Sequence, residues 1–345
     1  MKNLVDILRD TRRLDSSGYR ALLACDDIEV NDYLRAQARQ VADDVYGRGI
    51  FLRGLVELTN VCRNDCLYCG IRRSNTAVER YMLTPEQVLE SCQTGYRLGF
   101  RTFVLQGGEL PRDKWQWIAS LVAEIKLSWR ECAVTLSLGE WPREAYAAFR
   151  DAGADRYLLR HESHNAAHYA MLHPPEMSLG NRLQCLAWLK DLGYQVGTGI
   201  MVGSPWQTLD HIVDDLMFIG QFEPEMVGLG PFVPHHATPL GDYPAGSAEM
   251  TCKLYSIIRL MLPHALIPST TALNSITPQG RIMGLQAGAN VLMPNLSPPD
   301  VRPSYALYDG KASSNAEAAE GLVLLEEQLR GAGYHIDWSR GDYQP

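Results

Sequence analysis

Apolar positions along the chain change their spacing near residue 50. Before it, "SGYRALLAC" and "VNDYLRAQARQVADDVYG" place apolar residues at helical intervals, so residues 1–50 read as a helical extension. After it, short β-rich runs alternate with amphipathic segments. The runs are 55–60 (LVELTN), 102–107 (TFVLQG), 133–138 (AVTLSL), 156–162 (RYLLRHE), 195–203 (QVGTGIMVG), 226–232 (MVGLGPF), 266–272 (LIPSTTA) and 290–295 (NVLMPN). Helices are expected between them at 85–98, 115–127, 142–152, 179–191, 208–220 and 249–261. Gly-Ala-Asp at 153–155 and Gly-Ala-Asn at 288–290 mark helix stops. Strands joined in series by helices pair in parallel. Eight is the number that closes an α/β (β/α)8 TIM barrel. The expected organisation is one barrel domain over 51–345 with a C-terminal cap; an open doubly wound sheet is the other arrangement the count permits.

In a closed barrel, side chains alternate between the lumen and the helix layer. Thr135 and Ser137 then share one face, and so do Arg160 and Glu162, with His161 on the other. Helices cannot cover charged groups well, which assigns Arg160 and Glu162 to the lumen. Barrel enzymes place their chemistry at the C-terminal ends of the strands.

Composition is ordinary for a globular protein, 46% hydrophobic and 21% charged over 345 residues. The net charge of −8 and the lack of a basic run exclude a nucleic-acid surface. No stretch approaches the roughly 18 apolar residues of a membrane span, and the start "MKNLVDILRDTRRLD" is charged throughout. A cytoplasmic protein is expected.

Of eight cysteines, five are scattered: Cys25, Cys92, Cys132, Cys185 and Cys252. The other three, Cys62, Cys66 and Cys69, stand C-x3-C-x2-C directly after the first strand. Such clustering inside a cell reads as metal rather than disulfide. Zinc is the simple alternative, but it takes four ligands, usually as two pairs, and no second pair is visible. Three thiolates hold three irons of a 4Fe-4S cube and leave the fourth iron open to an exogenous ligand. Tyr68 is placed to offer its ring and backbone to that ligand. Arg72 and Arg73 read either as solvated loop charges or as help for an anion.

The motif resembles the radical S-adenosylmethionine (SAM) superfamily. The resemblance implies that SAM chelates the open iron and that one electron cleaves it to a 5′-deoxyadenosyl radical. Further residues carry the likeness. Gln106-Gly107-Gly108-Glu109 resembles the superfamily's GGE motif, whose backbone receives the SAM amino group. Glu162 resembles the residue that meets the SAM ribose or amino group, and Arg182 the carboxylate clamp. Met201, with Val202, resembles the adenine-contacting segment, and Ser137 joins this cofactor-binding set.

Longer strings, "NVCRNDCLYCGIRRSN", "TLSLGEWPRE", "AGADRYLLRHE", "IPSTTAL" and "AGANVLMPN", resemble the HydE family of FeFe-hydrogenase maturases over about residues 50–311. That resemblance implies action on a cysteine-bound Fe(CO)2(CN) precursor, exchange with HydG and HydF-type maturases, and a reduced ferredoxin or flavodoxin as electron donor. Thr135, Arg160, Thr270, Thr271 and Met293 are the expected substrate contacts, the two threonines on the seventh strand. Tyr305 and Tyr308 follow the eighth strand, either closing the barrel mouth or lying on an exposed loop. Some family members hold a second cluster in the C-terminal region. Here no cysteine follows Cys252, so a single cluster is expected. Two other readings remain: a carbon-skeleton radical SAM enzyme of the methylornithine synthase or biotin synthase type, and a non-catalytic iron–sulfur carrier.

Overall fold

Three helices lead the chain in the computed structural model, which describes residues 1–311 and 319–345: α1 (Lys2–Thr11), α2 (Ser16–Leu23) and α3 (Ile28–Tyr46). Asp15 and Asp27 start the second and third by accepting N–H groups of the first turn. The long face of α3 packs on a barrel helix, α10 (Ala248–Met261), and Lys253 reaches back to the carbonyls of Leu23 and Cys25. The extension therefore shares the core of the barrel.

The barrel begins with β1 (Gly49–Leu52) and β2 (Gly54–Thr59), one extended run interrupted at Arg53. There follow α4 (Pro85–Arg97), β3 (Thr102–Gly107), α5 (Trp115–Ser128), β4 (Ala133–Ser137), α6 (Arg143–Asp151), β5 (Arg156–Leu158), α7 (Ala166–Leu172) and α8 (Leu179–Asp191). Then come β6 (Gln195–Thr198), β7 (Met201–Val202), α9 (Leu209–Phe222), β8 (Met226–Val227) and β9 (Gly230–Pro231), before α10. The chain ends with α11 (Thr271–Ile276), α12 (Gly280–Gln286), β10 (Val291–Leu292), α13 (Leu322–Gly331) and β11 (His335–Asp337).

Six strands pair in parallel in the order β2-β3-β4-β5-β6-β8. Parallel bridges Met226↔Leu266 and Pro268↔Val291 carry the ring through its seventh position. It shuts where β10 pairs with β1 and Leu55 meets Asn295. The ring is closed, which sets aside the open sheet.

Five runs are shorter than their patterns suggest: the fourth stops at Leu158, the eighth keeps only Val291–Leu292, and the fifth to seventh are broken. The fifth and sixth are each split, because their glycine backbones press together: a Cβ on Gly199 would stand 1.8 Å from the Gly228 carbonyl oxygen. The seventh makes only single bridges, since Pro268 has no N–H to continue a ladder. Thr270 and Thr271 are consequently not strand residues. They are the N-cap and first residue of α11.

The lumen floor is polar. Wholly buried Arg156 donates from Nε to Gln195 Oε1 (3.0 Å), from Nη1 to Thr102 Oγ1 (3.1 Å), and from Nη2 to the carbonyls of Arg340 and Gly341 and to Asp342 Oδ1. Residues 340–343 thus cross beneath the barrel as a plug, beyond β11, which pairs with β1. No described helix is long and apolar enough to cross a membrane.

Candidate active site

Past β2 the chain leaves the barrel and carries Cys62, Cys66 and Cys69 onto the C-terminal rim, all three partly buried and free of disulfides. Side chains around the trio hold this loop. Arg72 grips Asp65 with two bonds (2.8 and 2.6 Å), and Ser74 adds its N–H and hydroxyl. These donors hold the Asp65 carboxyl far below the usual carboxylate range. Arg80 spreads over the carbonyls of Asn60, Ile71, Arg72 and Asn75. Arg72 is therefore neither solvated nor free for an anion; it is buried and spent on Asp65. Arg73 is exposed, 3.5 Å from Glu176.

The spread of the thiols tests which group they suit. A single zinc at about 2.3 Å from each sulfur needs thiolates roughly 3.8 Å apart. Among the described residues, only His235, His236 and Asp309 bring three ligand atoms within 4.8 Å of one another; the cysteine trio stands wider. A cube takes one thiolate per iron, so its sulfurs need not converge on a single point as they must around a lone ion. Burial pushes the Cys69 thiol up to about 12 and raises the Cys66 thiol well above its ordinary value, with its two neighbours adding repulsion. Thiolates here need positive charge beside them, so cluster loading releases protons. The histidine group is a clasp: His235 Nδ1 accepts the Ala237 N–H, while His236 uses ring and backbone on Asp309 at 2.8 Å each.

Gly108 follows β3 and lies against the cysteine loop. A Cβ there would lie 2.3 Å from Val61 O and 2.9 Å from Cys62 Cβ. Beside it the Glu109 N–H points to Cys62 Sγ at 3.4 Å. The Glu109 carboxylate is occupied by Arg63 and by the Glu140 N–H. Gln106 bonds Tyr305 OH at 3.3 Å, which buries Tyr305 under the mouth rather than on an exposed loop. Gly108→Ala is expected to displace residues 61–62 and to lower both iron content and SAM affinity, the latter on the order of tenfold. Iron assay and equilibrium dialysis check it.

Arg182 lies in the first turns of α8, its Nε on Glu140 Oε1 and its Nη1 on the Arg160 carbonyl, each at 2.5 Å. Glu162 has left-handed backbone, φ 63°, a conformation costing about 1–2 kcal/mol for a side-chain-bearing residue. Its Oε1 meets Arg160 (2.9–3.0 Å); its Oε2 is buried without a partner. A buried orphan acceptor at the rim is a place for a ligand donor. Tyr68 packs with Met201, Leu172, Phe232 and Leu240, its hydroxyl 3.3 Å from His173 Nε2. Ser137, at the end of β4, is half-buried and level with Gln106 on β3. The open corner of a cube on the trio, the glycine cradle and the Glu162 orphan fit SAM.

Below this rim, Thr135 Oγ1 is buried and unpartnered, and Arg160 is shared with Glu162. Thr270 Oγ1 stands 3.5 Å from Tyr255 OH, above Gly230. Met293 packs lower, with Phe51, Met226, Leu266 and Val291. Two cations escaped the sequence reading. Arg53 is buried with Nε and Nη2 unpartnered, only Nη1 meeting Met226 Sδ at 3.1 Å. Its strand parity with Leu55 and Glu57 was the available signal. Lys311 reaches Glu57, whose other oxygen holds Asn295; no local pattern announces it.

Burial, aided by Arg182, lowers the His173 pKa to about 3. The unfolded chain takes that proton near pH 6.5 while the native one does not until about 3. Stability therefore falls as pH drops from 6.5 toward 3, by up to about 1.4 kcal/mol per unit from this group. Urea midpoints of the cluster-free protein at pH 7 and 5 should differ, and His173→Asn should flatten the difference.

Comparison with known proteins shows the family of the chain. Residues 56–219 match the radical SAM superfamily. The chain is 46% identical over 289 residues to the FeFe-hydrogenase maturase subunit HydE of Thermotoga maritima, covering 84% of this chain and 82% of that one. It is 28% identical over 310 residues to 3-methylornithine synthase of Methanosarcina barkeri, covering 89% and 87%. The crystal structure of a methylornithine synthase superposes with a TM-score of 0.84 at 25% identity, covering 97% of each chain. The chain is an enzyme that uses a three-cysteine 4Fe-4S cluster and SAM, and it belongs to the HydE family of radical SAM hydrogenase maturases.

Proposed function

We propose that the enzyme acts on a small anionic iron complex carrying cysteine, CO and cyanide, on the way to the hydrogenase di-iron cofactor. When bound, the cluster and SAM supply a 5′-deoxyadenosyl radical. In this reading Cys62, Cys66 and Cys69 hold the cluster. Gly107, Gly108 and the Glu109 backbone receive the SAM amino group, Arg182 its carboxylate, Glu162 its ribose or amino group, and Tyr68, Met201 and Ser137 line its bed, with Gln106 fixing the wall. Thr135, Arg160, Thr270, Thr271 and Met293 receive the substrate.

One observation favours this guest: a buried hydroxyl below the rim, Thr135 Oγ1, has no partner. A buried polar group calls for a partner, and an anion with several acceptor atoms answers it. The reading includes residues 51–345 as one catalytic domain, a cytoplasmic setting, a ferredoxin or flavodoxin donor, and exchange with HydG- and HydF-type maturases.

The relatedness to methylornithine synthase supports a second reading, rearrangement of an amino-acid carbon skeleton. Isotope transfer separates the two. In the first reading the adenosyl radical adds to the sulfur of the substrate's cysteine, which leaves the adenosyl carbon bonded to sulfur and moves no carbon-bound hydrogen, so no deuterium from a labelled substrate should enter 5′-deoxyadenosine. Deuterium in that product would establish the second reading. Absence of SAM cleavage by the dithionite-reduced, cluster-loaded protein would refute both.

A further inference from the structure

We propose that His161 and Asp215 are a positioning pair that holds Glu162 in the backbone conformation from which its carboxylate meets SAM. The proposal rests on the reading of Glu162 as a SAM contact. Four described non-glycine residues have positive φ: Arg12, Glu162, Trp206 and Glu223. Arg12 and Glu223 are helix C-caps and Trp206 is exposed, so Glu162 is the buried one. A bond from the Ser163 N–H to the His161 carbonyl (2.8 Å) folds the chain tightly around it. Strain of this kind persists only where the surroundings over-determine it.

One carboxylate spans the bend. Asp215 projects from α9, wholly buried; its Oδ1 accepts the His164 N–H at 2.5 Å and stands 3.3 Å from His161 Nε2. Asp215 Oδ1 thus bonds the main chain on the far side of Glu162–Ser163 and faces the His161 ring on the near side, at 3.3 Å without a hydrogen bond. The His161 ring is fixed from its other edge as well: Nδ1 lies 2.8 Å from Thr198 Oγ1 on β6, and Phe218 packs at 4.8 Å between centroids. Behind the bend, Ser163 Oγ meets His168 Nδ1 at 3.0 Å, and His168 Nε2 meets the Pro205 carbonyl. Glu162 itself donates its N–H to Gly199 O.

His161, Thr198 and Asp215 all have zero exposure, between the strands and α9. Packing alone does not call for an imidazole and a carboxylate there, because apolar residues of similar volume fill such a place at equal or better stability. His161 Nε2 and Asp215 Oδ2 moreover lack hydrogen-bond partners. What the pair does is fix the main chain beneath a carboxylate whose own Oε2 is left free for a ligand.

The test is a double-mutant cycle on SAM binding, read without turnover. The reduced, cluster-loaded enzyme is titrated with SAM by electron paramagnetic resonance, alongside equilibrium dialysis, iron content and thermal unfolding. Asp215→Ala and Glu162→Ala are each expected to weaken SAM binding on the order of tenfold, and the double variant no more than Glu162→Ala alone. Asp215→Asn keeps an oxygen for the His164 N–H and is expected to restore binding to within about twofold. Losses that add in the double variant, or an Asn variant as weak as Ala, overturn the positioning role. If Glu162→Ala binds SAM as the parent does, the reading of Glu162 falls first and the proposal with it. Should Asp215→Ala not fold, Thr198→Val, which removes only the hydroxyl on His161, takes its place in the cycle.

Discussion

Cys66→Ser will yield a colourless protein that no longer cleaves SAM, with activity lower by more than about three orders of magnitude. Serine offers a hard, poorly ionised oxygen where the cube needs a thiolate. Cys66 is also the thiol whose pKa burial raises well above the ordinary value, so even sulfur ionises here only beside iron. The barrel should remain folded. The loop is held by Arg72 on Asp65 and by Arg80 on four carbonyls, none of which involves a sulfur. Absorbance of the oxidised cluster, iron content and 5′-deoxyadenosine formation are the measurements. If colour and cleavage both survived, the trio would not hold the catalytic cluster. About four irons per chain in the parent protein agree with one cluster, and about eight would require a second.

The second large effect is on stability and lies at the other end of the barrel. Arg156→Met should cost about 2–4 kcal/mol of unfolding free energy, seen as a lower urea midpoint with little change in slope. Removing the guanidinium leaves the Gly341 carbonyl without its donor and takes one of two donors from the Arg340 carbonyl and from Gln195 Oε1, which keep the Thr102 hydroxyl and the Tyr343 N–H. Asp342 is about one-third exposed and regains water, which keeps the cost toward the lower end. Asp342→Asn should accordingly cost less than about 1 kcal/mol. An Arg156→Met protein as stable as its parent would mean that residues 340–343 do not plug the barrel in solution.

The contrast between these two ends shows what a sequence exposes. The cysteine trio, the glycines of β3 and the eight runs all have local signatures: fixed spacing, a glycine pair after a strand, alternation bounded by turns. Alternation also put Thr135 and Ser137 on one face of β4; beyond the end of β5, Arg160 turns to Glu162 and His161 to Phe218 of α9. It failed where the backbone leaves the strand. Thr270 and Thr271 start a helix after Pro268, and Glu162 sits in a left-handed bend. Arg72 looked like a loop charge because its partner, Asp65, belongs to a fold of the loop rather than to a periodic element. Lys311 on Glu57, and the plug on Arg156, pair residues with no shared pattern. Residues 312–318, within the segment lacking second-cluster cysteines, lie outside those the structure describes.

The placing of β1 also sets an order of events during synthesis. It is flanked by β10 and β11, with Phe51 opposite Val291 and Gly49 opposite His335. On the ribosome the first barrel strand must wait for nearly the whole chain before either neighbour appears, and contacts so distant in sequence form slowly. The three thiols, a few residues beyond that strand, emerge early and stay in an unclosed ring until translation is almost over. Iron delivery to this enzyme then belongs after release from the ribosome, and a nascent chain arrested before residue 291 should fail to retain a cluster.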